Sequence, residues 1–139
     1  MDVYSLSIQV RSGKRIEVKD ITEEVQAKLE ELGIYDGVLF LFSLHTTSTL
    51  ILNEGELGLM EDVERWVKEA FTRHDYQHDR IDRNAAAHIA ASIIGNSLVI
   101  PVERGRLALG TWQRILHLEL DGPRMRTLLV KVIGRRKEE

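Results

Sequence analysis

The run Val38-Leu39-Phe40-Leu41-Phe42 is apolar at five consecutive positions, the pattern of a strand covered on both faces, and Ser48 to Leu52 forms a second β-rich segment just after it. These two segments mark the centre of the core. Before them, Tyr4 to Val10 carries β-formers, Ser12-Gly13-Lys14 is a turn, and Ile16 and Val18 alternate with charged residues, so the chain is predicted to open with a β-hairpin. Asp20 or Thr22 can cap a helix over residues 21 to 32, in which Val25, Leu29 and Leu32 keep helical spacing and Gly33 is the stop. From Leu57 to Phe71 the residues Leu59, Val63, Trp66, Val67 and Ala70 mark one helical face, and charged residues fill most of the other.

Periodicity then disappears. Thr72 to Arg83 holds two histidines and three aspartates with no apolar repeat and reads as a polar loop. Asn84 opens a short Ala-rich helix that runs through Ile94 and stops at Gly95, with Asn84 in the N-cap position and Ile89, Ala90 and Ile93 on its apolar side. Ser97 to Val102, Gly110 to Leu120 and Thr127 to Ile133 read as three strands. The order β-β-α-β-β-α-α-β-β-β, with helices set among mostly hairpin-linked strands, implies an α+β sandwich of mostly antiparallel strands and about three helices.

Composition narrows this picture. The 139 residues, 43% of them hydrophobic, fit a single domain spanning 1–139. A formal charge of −3, with 19 basic and 22 acidic residues mixed along the chain, offers no field of one sign to hold a polyanion, so a general nucleic-acid role is not expected. The one basic cluster, Arg135-Arg136-Lys137, is followed by Glu138-Glu139 and reads as a solvated tail. With no cysteine there are no disulfides, thiolate nucleophiles or thiolate zinc sites, so any metal must use N and O ligands. No apolar run approaches the roughly 20 residues that span a bilayer, and a cytoplasmic protein without a membrane partner is expected. No glycine-rich phosphate loop is present, because Gly105 and Gly110 lie between strands.

The candidate chemistry falls into three separated segments. His45-Thr46-Thr47 ends the apolar strand and places an imidazole beside hydroxyl donors on rigid backbone, with Asn53-Glu54 following after eight residues. His78 lies in the polar loop, and Asn84 and His88 are four apart on one helix face. In the third segment, Thr111, Gln113, His117 and Glu119 share one parity of the predicted strand, and Trp112 offers a ring that can stack on a flat heterocycle. Bland readings stand beside each of these: a hydrogen-bonded His45, Asn84 as a helix cap, Trp112 in the core, Asn53-Glu54 as a turn, and a solvent-facing Gln113-His117-Glu119 face.

With these residues laid out, the chain resembles the YjbQ family, also called the secondary thiamine-phosphate synthase family. The resemblance rests on His45-Thr46-Thr47 with Leu52-Asn53-Glu54, Tyr76 with His78-Asp79, His88-Ile89 with Ala91-Ser92 and Gly95, Pro101-Val102 with Gly105-Arg106, and Gly110-Thr111-Trp112-Gln113 with Glu119. Arg114 stands where a glycine commonly follows the Trp-Gln pair, and Ala85-Ala86-Ala87 lacks the acidic or polar residue often found before the histidine. The resemblance implies a homotrimer with a histidine-rich site and a weak thiamine-phosphate synthase activity, a transferase reaction that couples a pyrimidine pyrophosphate to a thiazole phosphate. In that reading His45, His78, His88 and Glu119 are catalytic, and Thr46, Thr47, Asn53, Glu54, Asn84, Thr111, Trp112 and Gln113 bind a small phosphorylated substrate. His45, His78 and His88 are also the candidate ligands of a divalent metal, zinc or magnesium. A non-catalytic homotrimer that binds a metal or an anion is the alternative.

Overall fold

A computed structural model describes residues 1–138. Eight strands and three α-helices follow in the order β1 (Asp2–Arg11), β2 (Glu17–Asp20), α1 (Thr22–Leu32), β3 (Ile34–Ser43), β4 (Ser48–Asn53), α2 (Leu57–Phe71), α3 (Ala85–Ile94), β5 (Ser97–Glu103), β6 (Arg106–Leu107), β7 (Arg114–Glu119) and β8 (Met125–Arg136), with a 3₁₀ turn at Gln77–Arg80. Every strand pair is antiparallel. The larger sheet has the order β1-β8-β3-β5-β6 and the smaller has β2-β7-β4, so the α+β sandwich is as expected.

The opening hairpin does not form. β1 pairs with β8 and β2 pairs with β7, so the Ser12 turn carries the chain from one sheet to the other. Local alternation fixes strand identity but not the partner, and β8 supplies a longer apolar partner than the four-residue β2. β8 also runs further than its apolar core predicts. The basic tail is thereby partly anchored: Arg136 donates to the Leu32 carbonyl at 3.2 Å and lies over the Tyr4 ring at 5.1 Å, and Arg135 sits 3.5 Å from Asp36.

Two apolar clusters hold the layers. In the first, Leu39 and Leu41 of β3, Leu128, Val130 and Val132 of β8, and Ile100 of β5 meet Val25 and Leu29 of α1, Leu50 of β4 and Ile115 of β7. In the second, Leu116, Leu118 and Leu120 turn the other face of the smaller sheet toward Val67 of α2 and Ala87, Ala90 and Ala91 of α3. β7 is the middle strand of its sheet and is covered on both sides, which is why Ile115 through Leu120 are all buried. Residues 117 and 119 share the parity of Ile115 and therefore point between the sheets, not to solvent.

Helix boundaries follow local chemistry. The Asp20 carboxylate accepts from the Thr22 N–H at 3.0 Å, and Gly33 closes α1 in the left-handed region at φ 69°. α2 begins where the Glu56 side chain accepts from the Gly58 and Leu59 amides. Its expected core face is only half realised: Val67 is buried, but Trp66 is 65% exposed. On the larger sheet's outer face no helix among the described residues covers Val3, Phe40, Phe42 and Val99, which remain exposed.

Candidate functional site

The 3₁₀ turn and the start of α3 bring His78 and His88 together, with ring centroids 4.7 Å apart and planes at 74°. The Asn84 side chain ties them to the sheet. Its Oδ1 lies 2.9 Å from His78 Nε2, and its Nδ2 donates to the buried Asp121 carboxylate at 2.9 Å. A carboxylate only accepts, so the amide nitrogen of Asn84 must face Asp121 and its oxygen must face His78. Neutral His78 therefore carries its proton on Nε2. That ring and His88 line a hollow of 370 Å³ with Tyr76, Ala85 and Ile89.

Asn84 was expected to cap α3 with its side chain. It occupies the N-cap position without doing so, because Asp79 Oδ1 takes the Ala85 N–H at 3.0 Å instead. That substitution releases Asn84 to hold His78. Asp121 is held in turn: Arg124 donates to its Oδ2 at 2.9 Å, and Arg15 lies 3.5 Å from its Oδ1. The turn that follows β7 must stay tight, since a Cβ on Gly122 would lie 2.3 Å from the Lys14 carbonyl oxygen.

Two residues back, Glu119 is fully buried in a closed network. Arg126 donates to it through Nε at 2.8 Å and through its terminal nitrogen, Ser12 Oγ donates at 3.0 Å, and the Asp121 N–H donates at 3.0 Å. Burial works against its charge, but the Arg126 hydrogen bonds, with those of Asp121 and Ser12, outweigh it and hold the carboxyl below its ordinary 4.5. Arg126 also donates to the Thr47 hydroxyl at 2.8 Å. Thr47 thus belongs to the scaffold, whereas Thr46 is exposed.

His45 lies at this end of the smaller sheet but in a different role. Its Nε2 accepts the Thr127 backbone N–H at 2.8 Å, so the lone pair is used and the proton is on Nδ1. Burial, reinforced by Arg126, lowers its pKa below 6.5 and keeps it neutral. His117 is 1% exposed with an unpartnered Nε2, and burial pushes it down to about 4. Among the described residues no three His, Asp or Glu side chains are grouped to hold a metal ion, so within one chain His45, His78 and His88 are not gathered as metal ligands.

The other predicted binding residues lie elsewhere. Ser48 pairs with Glu119 and Asn53 with Arg114, so the two ends of β4 are five residues apart, about 17 Å at the usual strand rise. Asn53, Glu54, Thr111, Trp112 and Gln113 sit at the far end. The Asn53 side chain caps the Glu54 N–H at 2.8 Å, a turn, and Gln113 folds back to accept the Gly110 N–H at 2.8 Å. β7 starts only at Arg114, which removes Thr111, Trp112 and Gln113 from the predicted strand face, and Trp112 is 71% exposed and not in the core. Arg114 explains its own presence: it bridges Asp20 at 2.7 Å and Glu23. Sequence reading missed Arg126, Asp121 and Ser12. Arg126 was findable, because it shares parity with Leu128, Val130 and Val132 and so faces inward.

The fold and its polar cluster define an antiparallel two-sheet α+β domain in which two adjacent imidazoles are backed by an Asn-Asp hydrogen-bond pair. Residues 6–135 match the family described as UPF0047 protein YjbQ-like, and the chain belongs to that family. It is 46% identical over 129 residues to a UPF0047 protein of Archaeoglobus fulgidus, covering 92% of this chain and all of that one. It is 39% identical over 129 residues to the Bacillus subtilis UPF0047 protein YugU, covering 92% and 98%. A solved YbjQ-like protein of unknown function from Sulfolobus solfataricus superposes with a TM-score of 0.93 at 40% identity, covering 96% of this chain and 99% of that one. No helix among the described residues is long and apolar enough to cross a membrane.

Proposed function

We propose that the chain is a small enzyme acting on a phosphorylated molecule, with His78 and His88 as its catalytic residues and Asn84 as their positioning residue. The observation that supports this is the His78 ring, set by Asn84 and Asp121, which lines a hollow together with a second imidazole. In the thiamine-phosphate synthase reaction that the family resemblance suggests, the bond between a pyrimidine-methyl carbon and pyrophosphate oxygen breaks. The pyrophosphate leaves with the electron pair, and a thiazole-phosphate nitrogen forms the new C–N bond. Two adjacent imidazoles suit that step, because a protonated His88 or His78 can donate to the leaving oxygen, while the thiazole nitrogen carries no proton and needs no base. Two imidazoles alone do not make a closed zinc or magnesium site, so no step is routed through a metal.

Self-association as a homotrimer belongs to the same proposal. The uncovered face of the larger sheet, where Phe40 pairs with Val99 and Phe42 with Leu129, supports it, since apolar patches of this kind mark interfaces. A neighbouring subunit is also the only way for Thr111, Trp112, Gln113, Asn53 and Glu54 to reach the same small substrate as His78. The test is turnover of a pyrimidine-methyl pyrophosphate with a thiazole phosphate. His78→Ala and His88→Ala should each cost about 100-fold or more with the fold intact, and unchanged rates in both variants reject the assignment.

A further inference from the structure

A cavity of 490 Å³ opens between α2 and α3. Its floor is apolar: Val67 and Phe71 of α2 face Ala87 and Ala90 of α3, with Ile16 and Leu120 below. Its rim carries three cations, Arg15, Arg65 and Lys68, against two carboxylates, Glu61 and Glu64. Glu64 is already committed, to Lys14 at 3.1 Å and to the Val18 N–H at 2.8 Å. Lys68 makes no ion pair among the described residues.

We propose that this cavity is a second binding site, which takes a compact apolar or aromatic molecule bearing one anionic group. Its size falls within the roughly 300–1,000 Å³ of ordinary small-molecule pockets. Small alanine side chains opposite Val67 and Phe71 leave space that the protein's own atoms do not fill, so a planar apolar body gains contacts that are otherwise missing. The anionic group belongs beside Lys68, because Arg15 and Arg65 already pair with Asp121 and Asp62, each at 3.5 Å, and Lys68 is the rim cation left without an ion pair among the described residues. Arg15 also links the cavity to Asp121, so the two sites share one corner of the molecule while using opposite sides of α3.

This inference does not rest on the histidine site and is tested without turnover. The probe is 1-anilinonaphthalene-8-sulfonate, with neutral N-phenyl-1-naphthylamine beside it. Fluorescence titration of the full chain should give one site per chain. Ala86→Trp, whose side chain enters the cavity, should abolish it, and Lys68→Glu should weaken the sulfonate roughly fivefold while leaving the neutral probe unchanged. Should Ala86→Trp fail to fold, methyl NMR of the unmodified protein decides: sulfonate-induced shifts at Ala86, Ala87, Ala90 and Val67 support the site. Shifts confined to Val3 and Val99 place the probe on the uncovered sheet face and overturn it. Full retention of binding in a folded Ala86→Trp variant, or equal loss of both probes in Lys68→Glu, overturns it as well.

Discussion

His117 and His88 are both imidazoles within the fold, yet one is fully buried and the other half-buried, and their surroundings are opposites. His117 is sealed between two sheets with Glu119 and Arg126 in the same layer; those two match one another, and the unpartnered His117 Nε2 is walled off from solvent. His88 sits with His78 at a hollow, on a short helix and a 3₁₀ turn, with Asn84 and Asp121 behind them. A polar cluster that satisfies itself is scaffold, and one that is braced from behind but unsatisfied in front can do chemistry. Glu119 and Asp121, two residues apart, fall on opposite sides of that line.

The largest effect expected from breaking the comparison is at the interior. Arg126→Met leaves the Glu119 charge buried without its partner and should cost about 3–5 kcal/mol in urea unfolding, whereas Arg126→Met with Glu119→Leu should recover much of the loss. Next comes pH. His117 binds a proton near 6.5 when unfolded and only near 4 when folded, so the unfolded chain takes up more protons between those values. Stability should then be full above pH 6.5 and fall by about 3 kcal/mol as pH drops through that window, with His117→Phe flattening the slope. The lowered pKa values of His45 and Glu119 act in the same direction, Glu119 only below about its ordinary 4.5.

At the braced pair the ordering of effects reverses. Asn84→Ala removes two hydrogen bonds and should cost about 1–2 kcal/mol of stability while releasing the His78 tautomer. His88→Ala should change unfolding by less than about 1 kcal/mol yet abolish turnover, which is measured by pairing a denaturation curve with the transferase assay. Smallest of all is Trp112→Ala, which should alter the stability of an isolated chain by less than about 0.5 kcal/mol because the ring packs on little of its own chain.

How much of this could be read from the chain depended on range. Helical spacing located α1 and α2 to within a residue, and Gly33 and Gly95 marked stops correctly, because those signals are local. Strand pairing was not legible: Tyr4 to Val10 carries no mark that chooses β8 over β2. The pairing of His78 with His88 was expected and is found, but the sequence also placed His45 with them. Its Nε2 instead meets an N–H 82 residues away, an acceptor role that no spacing rule reveals. The strand face proposed for Gln113, His117 and Glu119 failed at its start, since Gly110 and Gln113 close a turn on themselves before β7 begins. Asn84 misled for a related reason, because a better-placed carboxylate took over the cap.

Asn84, set by Asp121, fixes the proton of neutral His78 on Nε2, in a ring that stands beside His88. Long-range ¹⁵N–¹H correlation of the histidine rings measures this directly at neutral pH. The expected spectrum shows neutral His78 protonated at Nε2, the opposite tautomer for His45, and loss of the His78 preference in Asn84→Ala. A neutral His78 protonated at Nδ1, or a tautomer indifferent to Asn84, would contradict it.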